Sequence, residues 1–485
     1  MSHAASLCAR YHAATVYTPR SVARHGSLDF SRQPSPFKSW YQARQVPLRG
    51  GPADPVVAQP GPLDADRLGR LLHHTYGVTL VREFPGMSMF YRAAPSAGGL
   101  YPAELYVAVR GIEGIPDGIH DYDARKHALT MCWEGDFGTE LSNYAFGHPA
   151  LEDARAVLIG TGVYERSAWR YQDRAYRRVL LDTGHMFGNA VLAGWRDGQR
   201  VVPIPDFHDE AIESMLLLDP EKEGVLMLAA LTDRTAPTPQ TPPPLRSRVH
   251  AEAGTPEEGG WIPAAHAAGK IYAAELAGPP VPAEGPTPLG PAIGLDAEPL
   301  SGGVAALETI RRRRSTRSFS QAPLSLGALG RMLAHAYPPA GSSEPPATLV
   351  PGLLDTYVVV ADATGLAAGV YRYDQDAHAV LPVRVGNPRQ ALYECCLHQD
   401  LARDCAVAII HTFDLHGAVE RLGERAYRTA HLEAGLLGQR LNLAALQLGF
   451  GASGIGGFFD EFVTHLLQIP PTHAIAYITT LGTPA

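Results

Sequence analysis

The chain has 485 residues, of which 45% are hydrophobic and 19% charged, and it carries a formal net charge of −8. That length exceeds one ordinary domain, the composition is globular rather than collagenous or disordered, and the negative balance argues against a nucleic-acid binder held by bulk charge. Five cysteines (Cys8, Cys132, Cys395, Cys396, Cys405) show no C-x-x-C spacing and no even framework. Reduced thiols in a cytoplasmic protein are therefore expected, with no metal site. Arg10, Tyr11 and His12 come early, no apolar leader core follows them, and no run of eighteen apolar residues occurs anywhere. Neither a secretory leader nor a membrane-spanning helix is expected.

In chain order, residues 1–60 hold Pro34, Pro36, Pro47, Pro52 and Pro55 and read as an extended arm. Residues 61–234 read as a first domain, with β-rich runs at Leu105–Val109, Val157–Val163 and Val225–Leu231. An apolar helix around Leu180 shows three- and four-residue spacing. Residues 235–302 begin with the Pro-rich stretch Thr235–Pro244 and read as a stiff, mostly unstructured linker, with one helix expected over Trp261–Ala277. Residues 303–485 read as a second domain, with β-rich runs at Tyr357–Val360, Ala406–Ile410 and Ala474–Leu481 and a helix around Leu436. Each domain is expected to be α+β, with helices on a central sheet.

The two domains repeat each other. Arg174-Ala-Tyr-Arg177 recurs as Arg425-Ala-Tyr-Arg428, and 425 − 174 = 251. The same offset relates Gly118 and Tyr122-Asp123 to Gly369 and Tyr373-Asp374, Phe207 and Asp209-Glu210 to Phe458 and Asp460-Glu461, and Tyr106 to Tyr357. Upstream, Pro62-Leu63 and Leu68-Gly69-Arg70 match Pro323-Leu324 and Leu329-Gly330-Arg331 at 323 − 62 = 261. The second copy has thus lost ten residues between Tyr337 and Tyr357. A period this long means two copies of a whole domain rather than a solenoid.

Four stretches carry candidate chemistry. Arg92-Ala-Ala-Pro95-Ser96-Ala97-Gly98-Gly99-Leu-Tyr-Pro102 combines a bare backbone, against which a flat ring can lie, with a hydroxyl able to donate to it; the alternative is a plain loop before a strand. Arg313-Ser-like spacing follows in Arg311–Phe319, where Arg313, Ser315 and Arg317 alternate along an extended segment and suit a phosphate. Gly451–Phe458, with Ile455, Gly456 and Gly457, reads as a glycine-rich turn whose amides could form a concavity for an anion or a ring. Trp169-Arg170-Tyr171 pairs a cation with a phenol for proton transfer, or is simply a charged helix start.

Taken together, these stretches resemble the nitroreductase-like flavoproteins, and within them the SagB-type, azoline-oxidase-like dehydrogenases. The P-S-A-G-G-L-Y-P loop, Gly118–Asp123, the Arg170–His185 segment and the arm residues Asp29, Gln33-Pro34 and Pro36-Phe37-Lys38 carry the resemblance. It covers roughly residues 10–235 and 300–485. It implies two tandem nitroreductase-like domains, each a mainly antiparallel sheet flanked by helices, packed as an intramolecular pseudo-dimer with FMN bound non-covalently between them. The implied cofactor residues are Arg92, Pro95, Ser96, Ala97, Gly98, Arg313, Ser315, Arg317, Ile455, Gly456 and Gly457, and the implied catalytic pair is Arg170 and Tyr171.

The copies keep complementary parts. The first has Pro52–Val56 where R-x-S-x-R belongs and Pro205-Asp206 where Gly-Gly belongs. The second has Pro346-Ala347 where Pro95-Ser96 belongs. One full site per chain is expected. Members of the azoline-oxidase branch carry Lys-Tyr where this chain has Arg170-Tyr171, and the second copy has Arg421-Leu422. Arginine stays protonated, with a pKa above ~12, so Tyr171 is the member of the pair able to accept a proton. The leading expectation is an FMN-dependent dehydrogenase or oxidase acting on a peptide or amino-acid-derived substrate, alongside other enzymes of a biosynthetic cluster. The alternatives are an NAD(P)H-dependent nitro- or quinone reductase and a catalytically decayed scaffold of a biosynthetic complex.

Overall fold

A computed structural model describes residues 6–23, 28–57, 60–248, 256, 259–279, 285–298, 300, 303–339, 342, 344–345 and 348–485. Pro346-Ala347, the expected counterpart of Pro95-Ser96, lies outside the described residues. The chain forms two compact units. A first-repeat unit comprises Asp29–Ala277 with Gly302–Arg313, and a second-repeat unit comprises Met1–Leu28, Gly278–Ser301 and Arg314–Ala485.

The first-repeat unit contains β1 (Gln45–Pro47), a hairpin of β2 (Val78–Phe84) and β3 (Met87–Arg92), then β4 (Ala103–Val109), β5 (Gly118–Asp123), β6 (Ala128–Glu134), β7 (Ala156–Val163), β8 (Gln199–Ile204) and β9 (Glu223–Asp233). Apart from the hairpin, these form one antiparallel sheet in the order β1-β6-β5-β4-β7-β9-β8. The second-repeat unit contains β10 (Ile293–Gly294), β11 (Leu324–Ser325), β12 (Asp355–Val360), β13 (Ala363–Thr364), β14 (Gly369–Asp374), β15 (Ala379–Val385), β16 (Val407–Asp414), β17 (Gly451–Ile455) and β18 (His473–Gly482). Its antiparallel sheet runs β10-β15-β14-β12-β16-β18-β17, the same path. Register repeats too: Tyr106 pairs with Ile159 and Tyr357 with Ile410, each residue 251 positions from its counterpart. The α+β expectation holds in both copies.

Each sheet packs on one long helix, Ala175–Arg196 or Arg425–Gln447, both deeply buried along most of their length. Their buried faces are mostly apolar or small, interrupted by buried polar residues such as Arg178, Asp182 and Asn189 in the first and Arg428, Glu433 and Arg440 in the second. Gly160 and Gly162 on β7 show why small residues are required: an added Cβ would come within 2.5 Å of Phe187 and 2.4 Å of Val179. In the second-repeat unit Leu436, Leu437 and Leu441 join Leu329 and Leu333 from the helix Leu326–Ala336 against Val358 and Val360 of the sheet.

Three segments differ from their sequence reading. The arm starts as a helix, Leu7–Thr15, which belongs to the second-repeat unit. Ser6 caps Ala9 N, and Glu424 accepts from the otherwise unpaired amides of Leu7 (2.8 Å) and Cys8 (2.7 Å). In the linker, the helix expected over Trp261–Ala277 forms but stops at Ala268, and it buries Ile262, Ala265 and His266. There His266 meets Glu213 at 2.8 Å, and Lys270 reaches the other oxygen of the same carboxylate. Finally, Gly451–Ile455 is a strand rather than a turn. Its glycine at 454 is dictated by Tyr477, whose hydroxyl would lie 1.7 Å from an added Cβ.

Candidate functional site

The Arg92–Pro102 stretch leaves β3 and forms a tight turn before β4. Gly98 and Gly99 both sit at φ +67, where a side chain is strained. The turn is fixed from inside by Asp182, in the middle of the long helix. Ser96 Oγ lies 2.6 Å from Asp182 Oδ2, Ala97 N lies 3.3 Å from either oxygen, and Tyr101 N donates back to Ser96 Oγ at 2.8 Å. Burial pushes the Asp182 carboxyl up to about 7, although the bonds from Ser96 and Ala97 and the Arg178 guanidinium pull the other way.

Over the same turn sits the Arg170-Tyr171 pair. The helix Tyr164–Tyr171 is held at its start by a buried Arg166–Glu104 ion pair of 2.5 Å, and Arg166 also donates to Tyr101 O at 3.1 Å. Gln172, at φ +50, breaks the helix just after Tyr171. A Cβ on Gly98 would come within 2.9 Å of Tyr171 Oη and 3.4 Å of Arg170 Nη1. The tyrosine ring is covered by Arg178 at 3.8 Å and by Arg170 at 5.6 Å. Two stretches that sequence spacing kept seventy residues apart thus meet at a glycine.

Arg92 points away from open space. It is 1% exposed, its guanidinium lies 4.3 Å from the Tyr76 ring, 5.0 Å from Phe37 and 5.1 Å from Tyr101, and it donates to Pro36 O at 2.6 Å. Arg313 is buried beneath the start of the turn, with Nε donating to Ala93 O at 2.8 Å and Nη2 to Arg92 O at 3.4 Å. Pro95, Ser96 and Ala97 complete this set in the first-repeat unit.

Ser315 and Arg317 begin the second-repeat unit. The backbone between them is fixed to β17 by Thr316 N donating to Ala452 O at 2.9 Å, which leaves Arg317 exposed and Ser315 half-buried. Ile455 is buried at the end of that strand. Gly456 and Gly457 follow, and Gly457 O accepts from Gln399 Nε2 at 3.0 Å. These residues share one edge of the second sheet.

Sequence reading missed the carboxylate. Asp182 recurs at 433 − 182 = 251 as Glu433, which accepts from Leu349 N (2.8 Å) and Val350 N (3.0 Å) and is likewise pushed up to about 7 by burial. The one acid of each long helix, at equivalent positions in both copies, was the available signal. In the first copy it holds a turn with two glycines and a serine; in the second it holds apolar Leu349 and Val350.

The description "Nitroreductase family" matches residues 59–231 and 310–483. The chain belongs to this family. It is similar, at 36% identity and a TM-score of 0.88, to a crystal structure of a nitroreductase-type protein from Anabaena variabilis, covering 99% of this chain and all of that one. A nitroreductase-type protein of Methanocaldococcus jannaschii is 33% identical over 167 residues, 34% of this chain and 79% of the relative. The trifolitoxin-processing protein TfxB of Rhizobium leguminosarum is 30% identical over 182 residues, again 34% of this chain but only 46% of the relative. The tandem reading and the placement among nitroreductase-fold oxidoreductases therefore stand. Among the described residues no helix is long and apolar enough to cross a membrane, and no cluster of three metal-ligating side chains occurs.

Proposed function

We propose that the chain is an FMN-dependent oxidoreductase that removes a hydride and a proton from a peptide or amino-acid-derived substrate of a biosynthetic pathway. The observation that carries this reading is the bare turn at Gly98-Gly99 with Tyr171 and Arg170 directly against it. The fit to a flat cofactor is local: an added Cβ at Gly98 would meet Tyr171, while Gly99 opens onto unfilled space.

FMN, when bound, would supply acceptance of two electrons. Arg92, Pro95, Ser96, Ala97, Gly98 and Arg313 of the first repeat, with Ser315, Arg317, Ile455, Gly456 and Gly457 of the second, are the residues proposed to hold it. Arg313 acts by fixing the backbone at Ala93, and Arg317 carries the free-standing charge suited to phosphate. Tyr171 Oη accepts the substrate proton, and Arg170 and Arg178 hold its ring and favour anionic groups nearby. Likeness to a trifolitoxin-processing protein supports a peptide substrate and partner enzymes. An absorbance spectrum of the purified chain, followed anaerobically on adding NADPH, tests the reading. A flavin spectrum that NADPH leaves oxidised is expected; rapid bleaching by NADPH would favour the nitro- or quinone-reductase alternative, and no flavin uptake would refute both.

A further inference from the structure

The second-repeat unit contains a cavity of about 500 Å³, lined by Tyr337, Asp355, Arg372, Tyr373, Asp374 and Asp376 among others. Its origin is visible in the first repeat. Tyr337 corresponds to Tyr76 (337 − 76 = 261) and Asp355 to Glu104 (355 − 104 = 251). In the first-repeat unit these two positions are served by two guanidinium groups. Arg92 stacks 4.3 Å over Tyr76, and Arg166 pairs with Glu104 at 2.5 Å.

The second repeat has lost both cations. The β2–β3 hairpin that delivers Arg92 falls where the second copy is ten residues shorter. The counterpart of Arg166 is Gly417 (417 − 166 = 251), at the foot of the helix Leu415–Leu422. Asp355 is left half-buried at the start of β12, its backbone in register with Thr412 and its carboxylate without a hydrogen bond or ion pair to any described residue. Burial raises its carboxyl, opposed by the charges of His473 and Arg372 and reinforced by Asp414. The Tyr337 hydroxyl is bonded to Thr356 Oγ1 at 2.5 Å and to His411 Nε2 at 2.8 Å. Three carboxylates against one arginine leave the cavity wall net negative.

We propose that this cavity is a binding site for a guanidinium group, carried by an arginine side chain of a peptide or by a free arginine-like molecule, seated on Tyr337 and paired with Asp355. The first repeat serves the two positions with separate guanidinium groups, Arg92 over Tyr76 and Arg166 on Glu104; one planar cation over the tyrosine face with the carboxylate at its edge would combine ring attraction with charge-assisted hydrogen bonds. The inference does not rest on the flavin reading, since neither residue belongs to that set.

Calorimetric titration of the full chain tests it with three probes: N-acetyl-arginine amide, a capped Ala-Arg-Ala tripeptide, and the same tripeptide with neutral citrulline. Both arginine probes are expected to bind, the citrulline peptide at least tenfold more weakly. Tripeptide binding tighter than that of the amide assigns the site to peptides; equal affinity assigns it to the guanidinium compound alone. Asp355→Asn should weaken arginine binding tenfold or more without lowering the unfolding temperature, and Asp355→Glu should retain it. Failure of the arginine probes to bind at millimolar concentration, equal binding of citrulline, or unchanged affinity in Asp355→Asn would overturn the proposal.

Discussion

Tyr171 stands under two guanidinium groups, with its hydroxyl against a residue that has no side chain. If it accepts the substrate proton, Tyr171→Phe leaves flavin bound and slows reduction of that flavin by substrate, with general-base loss of ~10²–10⁴-fold. Arg170→Lys keeps substantial activity, because it restores the pair found in the branch this chain resembles. Rapid-mixing absorbance reads both; a Phe variant as fast as the parent makes Tyr171 structural. Asp182 makes a different forecast. Its folded carboxyl stays protonated up to about 7, while an unfolded aspartate ionises near ~4. Between those values the folded chain binds more protons than the unfolded one, so this group's contribution is present at low pH and is lost as pH rises toward 7. Asp182→Asn removes that dependence. Denaturant midpoints at pH 5 and pH 7.5 should therefore converge in the variant relative to the parent; identical pH dependence in the two would contradict the assignment. Asp121 and Glu433, also raised to about 7 mainly by burial, contribute the same sign in both proteins.

At the level of elements, the arginine run at the end of the helix Val304–Arg312 divides three ways. Arg311 donates to Pro52 O and Asp54 O at 2.9 Å, Arg312 is exposed beside Glu308, and Arg313 is buried on the backbone at Ala93 and Arg92. Arg313→Ala should loosen the Pro95–Gly99 turn and lower flavin retention, since bonds to charged groups contribute ~1.5–3 kcal/mol. Arg312→Ala should be silent in both stability and retention. Arg311→Ala should lower the unfolding temperature by freeing the arm near Pro52 while leaving retention unchanged. Released flavin and thermal unfolding measured on the three variants separate the roles; uniform behaviour would reduce the run to a basic patch. Sequence periodicity located these elements well, since β4, β7, β9, β12, β16 and β18 fall on the expected β-rich runs and both long helices on the apolar stretches. It missed partners that depend on where a chain turns back. Nothing in Leu7–Thr15 announced Glu424 as its cap, and nothing in the arginine run announced that its helix packs with the first repeat. The turn at Gly98 was legible because glycine pairs are rare where a Cβ fits; Asp182 was not, because one buried acid leaves no periodic trace.

For the molecule as a whole, duplication followed by unequal loss is the governing fact. Both units keep the seven-stranded path, the long helix and the buried helical acid, so the scaffold was retained twice. What differs is what the acid holds. In the first repeat it is Ser96 and Ala97 ahead of two left-handed glycines; in the second it is Leu349 and Val350, ahead of the single left-handed Gly352. The second repeat instead keeps Arg317 and the Gly456-Gly457 pair, which the first replaces with Pro52–Val56 and with Pro205-Asp206, whose Asp206 carboxylate caps Leu245 N at 2.8 Å. By this motif comparison each repeat lacks what the other keeps, and the proposed function takes one complete complement per chain. The expected content is about one FMN per chain, against two for a pair of undiverged domains. Denaturing the purified, FMN-saturated protein and measuring released flavin against chain concentration decides it. A ratio near two would mean that the Leu349-Val350 turn also receives a cofactor and that the motif comparison between repeats is wrong. A ratio near zero after saturation would remove the flavin reading altogether. With a ratio near one, Ser96→Ala and Gly98→Ala in the first repeat should each lower it, while Val350→Ala in the second should not.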